Sequence, residues 1–204
     1  MANTVGISFS YAKNSMNTRG LQLMNLDETY DMSDFNMPIC DVNKSDGKVI
    51  TRVHNFLNVI KEADILVFAV PEATAHYSAG FKNAMDWIIC ATSFNADLGQ
   101  DGPFSNKPVY LITFTPVVKG AGGRHFDMTK HLVEKMGGVV HNSFVKNNGW
   151  KECIPGNYDW VKKECIEIFN TEVLDHVERK PAMDDRPSRW VEQYKEWDNK
   201  WRIK

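Results

Sequence analysis

The chain has 204 residues, of which 43% are hydrophobic, enough apolar material for one sizeable core and too short for two ordinary domains. Its 24 basic and 26 acidic residues are interspersed and the formal charge is -2, which excludes the electrostatic footprint of a nucleic-acid or anionic-membrane binder. A small-molecule partner is the expectation.

The first element is a short strand, Thr4-Val-Gly-Ile-Ser-Phe9, after which Met16, Gly20, Leu23 and Met24 recur at helical spacing. Residues 29 to 33, TYDMS, read as a second strand. Val53, Phe56, Leu57 and Ile60 mark a helix face with Thr51 as its N-cap. Ile65-Leu-Val-Phe-Ala-Val70 is apolar on both faces, as a central strand of a covered parallel sheet must be. Phe81, Ala84, Met85 and Ile88 stand at i, i+3, i+4 and i+7, so an amphipathic helix capped by Ser78 is expected there. An Asn-, Asp- and Gly-rich loop over 93–106 precedes the strand Val109–Phe114. A helix over 124–136 stops at Gly137-Gly138 before the strand Val139–Val145. Val161, Cys165, Ile168, Phe169, Val173 and Val177 then trace a long helix.

Strands alternating with helices predict an α/β, doubly wound sheet of five parallel strands, and the flavodoxin-like order 2-1-3-4-5 fits. This domain is taken as residues 1–180, and 181–204 as a helical tail. In the tail, beyond Pro187, Trp190, Tyr194, Trp197 and Trp201 form an aromatic stripe among charged residues, which docks either on its own domain or on a neighbouring subunit.

The cysteines Cys40, Cys90, Cys153 and Cys165 form no CxxC pair, which argues against a zinc site and a disulfide framework alike. The N-terminus lacks the basic region of a signal peptide, and no apolar run reaches membrane-spanning length. Reduced thiols in a cytoplasmic protein, with no membrane and no metal, are the reading.

In a sheet of this kind ligands bind beyond the carboxyl ends of the strands, beside the first one. Three loops lie there. The first, Ser8-Phe-Ser-Tyr-Ala-Lys-Asn-Ser-Met-Asn-Thr18, gathers hydroxyls, amides and backbone N–H groups at a helix start, either as an anion site or as an ordinary capped turn. The second is Val70-Pro-Glu-Ala-Thr-Ala-His-Tyr-Ser78, and the third Thr113-Phe-Thr-Pro-Val-Val-Lys-Gly-Ala-Gly-Gly123. Small residues let backbone approach a flat ligand, and neither GxxxxGK[ST] nor a GxGxxG after the first strand is present.

These residues resemble a known family. PEATAHYSAGFKNAMDW at 71–87 is similar to the PEYNxSxPGxLKNAIDW signature of the NADPH-dependent FMN reductases, with Pro71, Glu72, Lys82, Asn83, Ala84, Asp86 and Trp87 matching as they stand. Ser10 and Ser15-Met-Asn17 resemble the family's phosphate loop, 34–41 its acidic proline-containing segment, and 113–123 its STSPGxxGG loop. The resemblance implies an FMN enzyme that takes electrons from NAD(P)H and reduces a quinone-like or other small electron acceptor, working as a homo-oligomer, a dimer or tetramer. It places the FMN phosphate on Ser10, Ser15, Met16 and Asn17, with Lys13 supplying charge because Ala12 stands where the family has Arg. The flavin ring then lies along Pro71, Glu72, Ala73, Thr74 and His76 and near Thr115, with backbone N–H groups toward its pyrimidine side. Ala73 and Thr74 replace a Tyr and an Asn, His76 a Ser, and Val117 and Val118 make the third loop bulkier.

Two other functions remain open: an electron-transfer flavoprotein with no nicotinamide site, and a flavodoxin-like binding module without cofactor. Among single residues, His76 is either a proton donor or a solvent-facing loop residue. Lys82 and Asp86 read as an i, i+4 pair, Trp87 as a packing residue, and Glu72 as a carboxylate needing a partner, with Lys82 one option.

Overall fold

The computed structural model describes residues 2–41, 47–94, 104, 107–116, 122–147 and 156–176. The tail with Trp190, Tyr194, Trp197 and Trp201, the bulky Val117 and Val118, Cys153 and Val177 lie outside them.

The elements run β1 (Thr4–Ser8), α1 (Met16–Gln22), β2 (Glu28–Asp31), α2 (Met32–Phe35), α3 (Gly47–Glu62), β3 (Ile65–Ala69), β4 (Glu72–Ala73), β5 (His76–Tyr77), α4 (Ala79–Phe94), β6 (Pro108–Phe114), α5 (Gly123–Lys135), β7 (Val139–Lys146) and α6 (Asp159–His176). The main sheet is parallel throughout, ordered β2-β1-β3-β6-β7. Counting its strands along the chain, this is the expected order 2-1-3-4-5.

β3 is central because both of its faces are apolar and both are covered. Leu66 and Phe68 join Val5, Ile7, Val109 and Leu111 under Phe56, Ile60, Phe81, Met85, Phe126 and Val133 of α3, α4 and α5. Ile65, Val67 and Ala69 face the other way, with Ile112 and Phe114, onto Met16 and Leu21 of α1 and Val161 and Cys165 of α6. The period-2 alternation of side chains thus feeds two separate cores, one on each side of the sheet. Gly20 lets α1 lie close on β6: a Cβ there would sit 2.2 Å from the Phe114 ring.

Several boundaries differ from expectation for local reasons. β2 ends at Asp31, because Asp31 and Asp34 form a reciprocal capping box that starts α2. Thr51 is not an N-cap; α3 begins at Gly47 and Thr51 sits exposed in its second turn. The second loop is not irregular but holds an antiparallel hairpin, β4–β5, with Glu72 opposite Tyr77 and Ala73 opposite His76. No helix among the described residues is long and apolar enough to cross a membrane.

Candidate functional site

All three expected loops emerge at the carboxyl edge of the sheet, and side chains lash them together. Loop one is tied to β6 by Asn17, whose Nδ2 donates to the Phe114 carbonyl at 3.1 Å while its Oδ1 accepts from the Phe114 N–H at 2.9 Å. Asn17 is 5% exposed, so these bonds satisfy the main-chain N–H and C=O of Phe114, the last residue of β6, in a buried setting. Loop two is tied to loop one by Ser78, whose hydroxyl donates to the Phe9 carbonyl at 2.8 Å and accepts the Phe81 N–H at 3.2 Å, the cap expected of it. Loop three is tied to loop two by Glu72, whose Oε2 accepts the Gly122 N–H at 2.9 Å.

That last bond corrects the expected partner of Glu72. Lys82 instead pairs with Asp86 four residues along the exposed face of α4. Gly122 has a φ of 100° and is the N-cap of α5 with no side chain to cap it, so the Glu72 carboxylate satisfies an open helix start and complements its dipole.

Loop one is built as a capped turn with donors to spare. The Ser15 hydroxyl accepts the Thr18 N–H at 3.1 Å. The Thr18 hydroxyl donates to Ser8 at 3.0 Å, and having one proton it accepts from Ser15 across their 2.9 Å contact. Ser10 accepts the Ala12 N–H at 3.2 Å and keeps its own proton. Asn14 holds a positive φ of 54° that turns the chain back into α1. What this leaves for a ligand is the Ser10 hydroxyl, the exposed Lys13 ammonium and the first-turn N–H groups of Met16 and Asn17, which have no intrahelical acceptor. The Met16 side chain itself is packed in the core beneath.

The hairpin of loop two turns through Thr74 and Ala75, with φ of 52° and 58°. Two consecutive left-handed residues are the signature of a type I′ turn, which favours Asn-Gly and not Thr-Ala. The tip is therefore strained, with Ala73, Thr74 and Ala75 exposed and Pro71, Glu72 and His76 half-buried. His76 does not simply face solvent: its ring packs edge-on against Tyr77 at 4.1 Å. Thr115 is buried, its N–H donating to the Lys146 carbonyl at 3.0 Å.

One residue escaped the sequence reading. His125, in the first turn of α5 and 1% exposed, places Nε2 3.1 Å from the Val70 carbonyl, directly before the hairpin. A carbonyl only accepts, so Nε2 carries the proton, and Nδ1 has no hydrogen-bond partner among the described residues. Burial lowers the His125 pKa, against the opposing pull of the Val70 carbonyl and the Glu72 charge. The only sequence signal was a histidine just past a glycine pair, which periodicity does not read as buried. Thr113, at the end of β6, likewise has a buried Oγ1 without a partner among the described residues.

A family model described as NADPH-dependent FMN reductase matches residues 10–151. A quinone reductase from Escherichia coli (strain K12) is 29% identical over 119 residues, 53% of this chain and 58% of that protein. The NADH-dependent flavin reductase subunit 2 of Lactobacillus johnsonii is 28% identical over 90 residues, 44% of this chain and 46% of that protein. The matches thus span about half the length of these curated relatives. Among solved structures, the flavoenzyme NAD(P)H:(acceptor) oxidoreductase FerB from Paracoccus denitrificans superposes with a TM-score of 0.53 at 16% identity, covering 98% of this chain and 97% of that one. An apo NADH:FMN oxidoreductase gives 0.51 at 17% identity, covering 84% and 90%. These likenesses establish the fold.

Proposed function

Because the chain belongs to the NADPH-dependent FMN reductase family, we propose that it is an FMN-dependent NAD(P)H oxidoreductase that reduces quinone-like or other small electron acceptors. The observation that carries this reading is the rim itself: three loops braced to one another by Asn17, Glu72 and Ser78, with anion donors left over on the first. A binding platform needs such rigidity, since a site is only as well placed as the groups that support it.

The residues present suit the cofactor. Ser10, Lys13 and the N–H groups of Met16 and Asn17 would hold the phosphate, with Ser15 shaping their turn. Pro71, Glu72, Ala73, Thr74 and His76, with Thr115, would border the ring. When bound, FMN supplies the group that accepts hydride and hands electrons on. The chain's own part is to orient and to tune: Glu72 holds the third loop against the second, and His125, neutral through burial, anchors Val70 without adding a charge beneath the hairpin. With Ala73 at the hairpin rather than an aromatic residue, the acceptor side stays open. The same reading makes the protein a cytoplasmic homo-oligomer.

The test is spectroscopic. Protein reconstituted with FMN is expected to show bound-flavin absorbance and to bleach on anaerobic addition of NADPH or NADH, then regain colour with a benzoquinone. A flavin that binds but does not bleach would make this an electron carrier, and failure to bind FMN at all would remove both readings.

A further inference from the structure

We propose that Cys40 and Cys90 form a redox centre, a dithiol that closes to a disulfide under hydrogen peroxide and ties the segment after α2 to helix α4. The sulfurs lie 3.5 Å apart, although the residues are 50 positions apart in the chain. Closing to a bond of about 2.05 Å asks each sulfur to move roughly 0.7 Å.

The juxtaposition is held by a set of bonds along one side of α4. Asn83 accepts the Cys40 N–H on Oδ1 at 2.8 Å and donates through Nδ2 to the Pro38 carbonyl at 2.9 Å. Trp87, one turn on, donates from Nε1 to the same carbonyl at 2.7 Å. Cys90 follows on the next turn. Both thiols are half-buried, unlike Cys165, which is sealed in the core, and their neighbours Ile39 and Ile89 are 86% and 48% exposed, so small oxidants reach the pair.

The chemistry is ordered by the thiol–thiol hydrogen bond. Burial raises both pKa values, that of Cys40 to about 12, but the contact with Cys40 eases the ionisation of Cys90. Cys90 thiolate attacks one peroxide oxygen, the O–O bond breaks, and the leaving hydroxide takes a proton to become water, leaving a Cys90 sulfenic acid. Cys40 sulfur then attacks the Cys90 sulfur, the S–O bond breaks, and the second hydroxide leaves as water. Two thiols and one peroxide thus become one disulfide and two waters, and a small dithiol reverses the change by exchange. The inference needs nothing from the flavin reading.

The full-length protein, treated with excess hydrogen peroxide and then alkylated, is mapped by mass spectrometry without reduction. The expected result is a linked pair of peptides carrying Cys40 and Cys90, lost on dithiothreitol treatment and retained in Cys165→Ser. In Cys40→Ser, dimedone is expected to label Cys90. Full alkylation of both thiols after peroxide, a link between two chains, or no dimedone label on Cys90 would each overturn the proposal. None of these readouts depends on activity.

Discussion

The strained tip of the hairpin gives the sharpest prediction. Thr74 and Ala75 both adopt left-handed backbone, at φ 52° and 58°, a conformation that costs an L-residue about 1–2 kcal/mol and that Asn and Gly adopt more readily. Replacing Ala75 by Gly removes that cost but gives back about 0.5–1 kcal/mol through the freer unfolded chain, a net gain of about 0.5–1 kcal/mol. Thr74→Asn relieves a β-branched residue at a position where it is an outlier, for about 1 kcal/mol more. The sites are adjacent and do not add strictly, so the double variant is expected to gain about 1–2 kcal/mol, or roughly 3–6 °C in Tm for a chain of this length. Scanning calorimetry of the two single variants, the double variant and Ala75→Pro measures it. Ala75→Pro should lose stability, since proline cannot reach a φ of 58°. An unchanged or lower Tm in the double variant would refute the strained-turn argument.

Other outcomes follow from the braces. Asn17→Ala orphans both Phe114 main-chain groups, and urea unfolding should show a loss of about 2–4 kcal/mol. Glu72→Ala uncovers the Gly122 N–H and should cost about 1–2 kcal/mol in the same assay, with weaker FMN binding by fluorescence quenching, whereas Glu72→Gln keeps the acceptor and loses less. Gly20→Ala drives a methyl into the Phe114 ring and should destabilise by about 1–3 kcal/mol. Asp27 is held down to about 2, first by the Lys162 ammonium at 2.6 Å and then by Thr4. A depressed carboxyl stabilises above its unfolded pKa, near 4, and that contribution is lost as pH falls toward 2. Asp27 is 42% exposed, so screening keeps the effect under about 1 kcal/mol, and Asp27→Asn should flatten the acid limb of the stability curve by that amount.

Legibility in the sequence tracked the range of the interaction. β3 was readable because six consecutive apolar residues have only one comfortable place in such a fold, and the Lys82–Asp86 pair because its partners sit one helical turn apart. The hairpin was not readable, since Thr74 and Ala75 are poor turn formers and only the surrounding structure holds them left-handed. Glu72 was recognised as needing a partner, yet the partner was a backbone N–H 50 residues away that no side-chain pattern reveals. The Cys40–Cys90 contact has the same character.

By itself the sequence determined the alternation of strand and helix and the loops that follow the strands, because hydrophobic periodicity and capping act over a few residues, whereas the order β2-β1-β3-β6-β7 rests on pairing between distant segments. Only the tertiary structure decided which donors in those loops are spent on each other. Asn17 and Ser15 close internal bonds, whereas the Ser10 hydroxyl proton, the Lys13 ammonium and the first-turn amides of Met16 and Asn17 are not spent in this way. Such a division depends on distances between segments far apart in the chain, and local propensity carries no information about them.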